Sequence, residues 1–385
     1  MSEALRSRIR SPGPKRILSL DGGGIRGLIT LGFLEHIEER LKARLSTVKA
    51  YTPSPTPNYF RLRDYYDLIG GTSTGAIIAA GLAIGMKASE ITETYLRLGR
   101  EIFARPDFWG NLSGGLIVPK FDSKPLADIL SSSSLLGHRT VGDDSITTGL
   151  CIIAKRFDAN SVWPIVNAPD SKYYDRAGHP NKDFQLSQIV RASTAAPTYF
   201  EPEHIILGDA SFGFIDGGIS MHNNPALQLF MVATLPGFGF EWETGPENLS
   251  IVSVGTGDWN RRVSAEAWNA STMPATEISN IVDMLMADAS TLNETMLQAI
   301  GMGTHRREID RVVGHLNGKQ WGQSLLRYER FQVMLEDNFF DANGLSAYKR
   351  NIGDYRRMDN VERMHELLEI GRTLAASGHL AETLP

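Results

Sequence analysis

An α/β fold is what this sequence predicts, and three observations predict it. Arg16-Ile17-Leu18-Ser19-Leu20 is a compact apolar strand that passes through the glycine-rich turn Asp21 to Gly27 into an amphipathic helix. A second strand, read from Tyr65 to Ile69, turns through Gly71-Thr72-Ser73-Thr74-Gly75 into the small, aliphatic run Ala76 to Met86, which reads as a helix. A third strand, Thr148 to Lys155, precedes a short helix of small residues within Gln185 to Phe200 that Pro197 stops. Strands alternating with helices in this way belong to the α/β class.

Taken in order, residues 1–15 carry Pro12, Gly13 and Pro14 among scattered basic residues and read as a disordered lead-in. The helix after the glycine turn is marked by Leu28, Leu31, Leu34, Ile37, Leu41 and Leu45 at helical spacing. The Pro/Thr/Ser tract Thr47 to Asn58 reads as a surface loop. A helix follows the elbow over Ala88 to Phe103, with Ser89 as its N-cap. Arg105 to Lys120, with Phe108 and Trp109, is a loop that either caps the core or serves as a lid for an acyl chain or membrane. Pro125 to Leu136 is expected to be helical and Trp163 to Tyr174 irregular. The turn Asp216-Gly217-Gly218 precedes a helix over Ala226 to Leu235. Further on lie a loop from Trp259 to Met273, a long helix from Glu277 to Ile300, a strand from Tyr328 to Leu335 and an amphipathic helix from Asn360 to Ala376.

Composition narrows the function classes. The 385 residues are 42% hydrophobic and 22% charged, enough for one large domain or two smaller ones. With 39 basic against 44 acidic side chains, the formal charge of -5 gives no nucleic-acid footprint. The single cysteine, Cys151, lies in an apolar run and reads as a buried strand position. No metal-ligand cluster stands out. Residues 1–15 lack an apolar secretory core, and Ala76 to Met86 is too short to span a membrane. A cytoplasmic protein is expected, with at most peripheral contact at a membrane.

Two glycine motifs carry the chemistry. Gly71-Thr72-Ser73-Thr74-Gly75 fits G-x-S-x-G, the strained strand-to-helix elbow that exposes a nucleophilic serine, here Ser73. Gly22 to Gly27 fits G-x-G-x-x-G, which in a dinucleotide site precedes a strand ending in an acidic residue about 20 residues on. Glu38 and Glu39 stand at that distance but inside the expected helix. The other reading is an oxyanion hole, in which the loop aims backbone N–H groups at a charge formed during acyl transfer. A regulatory protein that binds a nucleotide on Gly22 to Gly27, with Ser73 incidental, is the reading from a different class.

Three blocks, Asp21 to Gly27, Gly71 to Gly75 and Asp216-Gly217-Gly218, together resemble the patatin-like phospholipase family, of the bacterial standalone type. Ala192 to Phe200, Asn223-Asn224-Pro225 and Ser253 to Gly257 are similar to the family's supporting segments. The resemblance implies a three-layer α/β/α fold with a central, mostly parallel sheet over residues 16–257, and a helical C-terminal elaboration, 258–385, packed on the same domain. It implies a Ser73 and Asp216 dyad without a catalytic histidine, an oxyanion hole of Gly22, Gly23 and Gly24 helped by Arg26, and Gly27, Gly71, Gly75, Gly217 and Gly218 as motif positions. The implied function is a serine acyl hydrolase that cleaves the carboxylic esters of a lipid or phospholipid through an acyl-enzyme, or a transacylase of the same chemistry, without cofactor or metal. Arg327 to Phe331 and Met358-Asp359-Asn360 resemble the C-terminal part of standalone bacterial members, some of which are effectors switched on by cyclic nucleotides, so such an activator is an implied partner.

Serine must lose its proton as it attacks an ester, and a carboxylate is a weak base in water. A dyad therefore requires burial to raise the Asp216 pKa, or concerted transfer. The competing arrangement is a Ser-His-Asp triad, for which His222, His179 and His204 are the candidates.

Overall fold

The computed structural model describes residues 3–46, 60–103, 119–260, 274–304 and 306–377. The tract Thr47 to Asn58 and nearly all of the loops Arg105 to Lys120 and Trp259 to Met273 lie outside them.

The first half contains α1 (Glu3–Arg10), β1 (Lys15–Leu20), α2 (Gly27–Ser46), α3 (Leu62–Tyr65), β2 (Leu68–Thr72), α4 (Thr74–Ile84), α5 (Ala88–Phe103), α6 (Lys124–Leu130), β3 (Gly149–Arg156) and β4 (Ser161–Val166). Then come α7 (Leu186–Ser193), β5 (Glu203–Leu207), β6 (Ala210–Asp216), α8 (Ala226–Thr234), β7 (Leu249–Val254), α9 (Pro274–Ile300), β8 (Gly301–Met302) and β9 (Leu326–Phe331). The chain closes with α10 (Asp337–Ala342), α11 (Ile352–Tyr355) and α12 (Met364–Ala376).

The strands form one nine-stranded sheet in the order β5-β6-β3-β2-β1-β7-β9-β8, with β4 paired to β3. From β3 through β8 every pairing along this path is parallel, while β4, β5 and β6 pair antiparallel. Both faces are buried, which is why β1, β2 and β7 read as continuous apolar runs rather than alternating ones. One core joins Leu28, Leu31 and Leu34 of α2 to Ile78 of α4, Ile91 of α5 and Leu367 of α12. A second, on the other face, joins Leu5 and Ile9 of α1 to Leu229 and Val232 of α8. The result is the three-layer α/β/α arrangement.

Several elements depart from expectation. The lead-in is not disordered over its length: α1 buries Leu5 and Ile9, an i,i+4 apolar pair, and Trp242 donates through Nε1 to the Ile9 carbonyl at 2.9 Å. Arg8 anchors it by a 3.2 Å ion pair to Asp67. The elbow strand starts at Leu68, because Tyr65 belongs to α3, and it runs through Gly70 and Gly71. Helix α6 stops at Leu130, six residues early. Ser161 to Val166 is a strand despite Pro164, which is tolerated because β4 lies on the outer edge of β3. The C-terminal part is not purely helical, since β9 extends the sheet beside β7.

The sheet also sets the site. β2 covers β3 from Gly149 to Ile153, and β6 pairs with β3 from Ala154 to Arg156. Since β4 pairs with Cys151 to Arg156 on the opposite edge, β2 and β6 share one edge, end to end. Thr72 opposite Ile153 and Asp216 opposite Ala154 are thereby brought next to each other, although 143 residues separate Ser73 from Asp216.

Candidate active site

Ser73 stands between β2 and α4 with φ 54 and ψ -122, outside the regions a β-carbon normally allows. Such a conformation costs on the order of 1–3 kcal/mol and persists only when its surroundings fix it. Here they do. A β-carbon at Gly71 would run into the Gly75 carbonyl, and one at Gly75 into the Leu20 carbonyl, so the turn closes only with glycine at both positions. The Ser73 N–H donates to Ser193 Oγ at 2.9 Å, and the Ser193 hydroxyl donates to the Ile153 carbonyl at 2.6 Å. Ser193 thus ties the elbow to β3.

The Ser73 hydroxyl donates to Asp216 Oδ2 at 2.6 Å, while Asp216 Oδ1 accepts the Gly218 N–H at 2.6 Å. Burial pushes the Asp216 carboxyl up to about 6, against the opposing pull of the Ser73 and Gly218 hydrogen bonds and of Arg191. No histidine bonds to Ser73 or Asp216 among the described residues: His222 engages through its backbone, and His179 and His204 lie beside Phe212 and Phe157. The triad candidates are not assembled.

The loop Gly22 to Gly27 lies against Ser73, but its members differ. Gly23 and Gly24 line the same cavity as Ser73 and Asp216, and among the described residues their N–H groups meet no acceptor. Gly24 has φ 59, and its carbonyl accepts from Tyr95 Oη at 2.7 Å and Thr74 Oγ1 at 2.8 Å, which fixes the peptide plane. The Gly22 N–H is instead spent on the Asn223 carbonyl at 3.1 Å. Arg26 turns away: its Nη1 donates to the Gly257 carbonyl at 3.2 Å, and it lines a neighbouring cavity. The expected contribution of Gly22 and Arg26 as oxyanion donors is therefore corrected; Arg26 is a brace. Gly27 packs at the start of α2 against Thr74, Gly217 against the Ile153 carbonyl, and Gly218 beside Asn223.

Asp21, at the root of the loop, pairs through both oxygens with Arg330 of β9 at 2.6 and 2.9 Å, and Ile25 donates to the Met358 carbonyl at 2.9 Å. Neither partner, nor Tyr95 or Ser193, was singled out as a site residue in the sequence. Ser193 sits in a run of small residues suited to a crowded site, which was a signal; nothing local pairs Arg330 with Asp21.

Ser73 opens onto an apolar cavity of about 460 Å³ walled by Ile77, Ile91, Leu98, Ile129, Leu135 and Phe200. A positioned hydroxyl, a desolvated carboxylate and unspent N–H groups beside an apolar pocket are the parts that acyl transfer from an apolar ester needs. Among the described residues, no group of three or more histidines, cysteines or carboxylates could hold a metal, and no helix is long and apolar enough to cross a membrane.

Comparisons with known proteins identify a family. The family model described as "Patatin-like phospholipase" matches residues 18–230. The chain is similar to Patatin-17 of Solanum cardiophyllum, 30% identical over 258 residues that make up 63% of this chain and 60% of that protein. It is likewise similar to Patatin-like protein 2 of Arabidopsis thaliana, 33% identical over 55% of this chain and 50% of the relative. The chain thus spans about 60% or less of the length of these relatives. Among solved structures, VipD from Legionella pneumophila superposes with a TM-score of 0.35 at 12% identity, covering 93% of this chain and 67% of that one.

Proposed function

Since the chain belongs to the patatin-like phospholipase family, we propose that it is a serine acyl hydrolase acting on carboxylic esters of lipids. Ser73 is the nucleophile and Asp216 its general base. The observation that carries this reading is the 2.6 Å hydrogen bond from the strained Ser73 to a carboxylate that burial has made more basic. As Ser73 Oγ attacks the ester carbonyl, its proton passes to Asp216 Oδ2, and the Gly23 and Gly24 N–H groups stabilise the oxyanion, each donor by a few kcal/mol. The proton then returns to the leaving alcohol, and water, deprotonated by the same carboxylate, releases the acyl group. An alcohol taking the water's place would give the transacylase. A lipid substrate fits the apolar cavity, with contact at a membrane surface during catalysis.

A fluorophosphonate probe tests the reading, since only an activated serine reacts with it. Labelling is expected at Ser73 by peptide mass, and labelling elsewhere with Ser73 unmodified overturns it. A dinucleotide-binding role for Gly22 to Gly27 is disfavoured, because Gly23 and Gly24 face the Ser73 cavity and the acidic residues expected of a dinucleotide site lie inside α2.

The pH profile follows from the same carboxyl. Asp216 accepts a proton only when ionised, so kcat/KM for a neutral ester is expected to fall about tenfold per pH unit below a midpoint near 6, and to level off above it. Imidazole titrates in the same range, so the midpoint alone does not separate a dyad from a triad. Temperature does: carboxyl ionisation is nearly athermal, and a midpoint that drops markedly on warming would indicate histidine.

A further inference from the structure

A second cavity, of about 310 Å³, lies on the other side of the glycine loop and is lined by charge. Its far wall is Asp258, Trp259, Gln332 and the run Arg356 to Asp359, all outside the segment 18–230 that matches the family. Gly22, Asn223, Tyr199, Met286 and Met358 separate it from the nucleophile, and a β-carbon on Gly22 would lie 3.1 Å from that of Ser73. The two cavities are thus one peptide apart at the reacting centre, one apolar and one polar.

The polar cavity is lined by groups of both signs. Its three carboxylates are already engaged by cations: Asp21 by Arg330 at 2.6 Å, Asp258 by Arg307 at 3.8 Å, and Asp359 by Lys120 and by Arg357 at 3.5 Å. Arg356 is different. Its Nε and Nη2 both donate to the neutral Leu335 carbonyl, at 3.2 and 2.8 Å, and its guanidinium lies 5.8 Å from the Trp259 ring centre. A guanidinium has five N–H donors in a planar fork, and among the described residues this one spends them on no carboxylate. Arg26 approaches the same indole at 5.0 Å. The Arg356 guanidinium, held against an indole beside carboxylates that already have cationic partners, suits a tetrahedral oxyanion.

We infer that this polar cavity binds a phosphate group through Arg356, next to the ester whose acyl chain occupies the apolar cavity. The inference rests on the reading of Ser73 as nucleophile only for the position of the ester. The phosphate comes either from the substrate's own head group or from a soluble phosphate ester, and the two sources are separable.

The first measurement is the ratio of kcat/KM for lysophosphatidylglycerol to that for a monoacylglycerol of the same chain, in neutral mixed micelles. Arg356→Gln, which keeps an N–H for the Leu335 carbonyl but loses the charge, is expected to lower this ratio about ten- to a hundredfold, and Arg356→Lys to restore part of it. The second is calorimetric binding of glycerol 3-phosphate to Ser73→Ala and to Ser73→Ala with Arg356→Gln. A loss of the same size there, with an unchanged lipid ratio, assigns the phosphate to a soluble ligand. This arm needs no turnover, so it reports on the cavity even where the nucleophile assignment fails. Should Arg356→Gln not fold, the native protein still decides, because its lipid ratio is expected to fall with added salt. A ratio and a glycerol 3-phosphate affinity that respond to neither charge removal nor salt overturn the inference.

Discussion

Ser73→Ala is expected to lower kcat for a short-chain p-nitrophenyl ester by about 10⁴-fold or more, since it removes the hydroxyl that is bonded to Asp216. The fold should survive. Ser73 Oγ has Asp216 as its hydrogen-bond partner, and the elbow is held through backbone and glycine contacts that alanine keeps, namely the bond to Ser193 and the Gly71 and Gly75 approaches. A melting temperature within a few degrees of the native protein's, measured beside the rate, separates chemistry from unfolding. Retained turnover above about one part in a hundred would place the nucleophile elsewhere. Gly24→Ala is a poorer probe of the same site, because φ 59 and the Met358 carbonyl both oppose a β-carbon there, so lost activity would mix strain with lost transition-state binding.

Asp216→Asn is expected to cost about 10³- to 10⁴-fold in kcat/KM, close to the loss at Ser73, because an amide of nearly the same shape cannot take the proton. The geometry tolerates it: the amide oxygen can accept the Gly218 N–H, and the amide nitrogen can donate to Ser73 Oγ. Stability should move the other way. The carboxyl is raised from its ordinary value near 4 to about 6 in the folded state, so the folded chain holds the proton more tightly than the unfolded one. Its contribution is fully favourable below about pH 4, is lost as pH rises to about 6, and stays lost above that. Removing the charge is therefore expected to stabilise the protein at pH 8, by up to about 3 kcal/mol from the two-unit shift, and to have little effect at pH 4. Urea unfolding at the two pH values reads this directly. Single substitutions at His222, His179 or His204 should change the rate by less than about tenfold. A histidine variant as inactive as Ser73→Ala, beside a folded and active Asp216→Asn, would replace the dyad by a triad.

Much of this site was legible in one sequence because its chemistry demands particular backbones. A strained serine between glycines, a glycine turn opening a helix and an aspartate before two glycines are local geometries with residue signatures, and the structure puts Ser73, Gly23, Gly24 and Asp216 around one cavity. Continuous apolar runs likewise marked β1 and β3 near their true bounds, since strands buried on both faces have no polar side to show. Local pattern failed where tertiary contact overrode it. α1 is basic and short, and it is held by Trp242 and Asp67 from distant parts of the chain. Tyr65 looked like strand but ends a turn of helix.

What the sequence by itself determined was the identity of the candidate reacting groups, because the φ of an elbow and the absence of β-carbons are written residue by residue. Only the tertiary structure decided which of them meet. β3 sets Asp216 beside Ser73 by carrying β2 and β6 end to end, and burial there, not the residue's type, makes the carboxylate more basic. The same holds for the loop: Arg26 follows the glycines in sequence yet faces the polar cavity, while Arg330, Met358 and Ser193, distant in sequence, fix the geometry. Hydrogen-bond partners and desolvation are properties of packed surfaces, and a one-dimensional pattern records a surface only when its residues come from one stretch of chain.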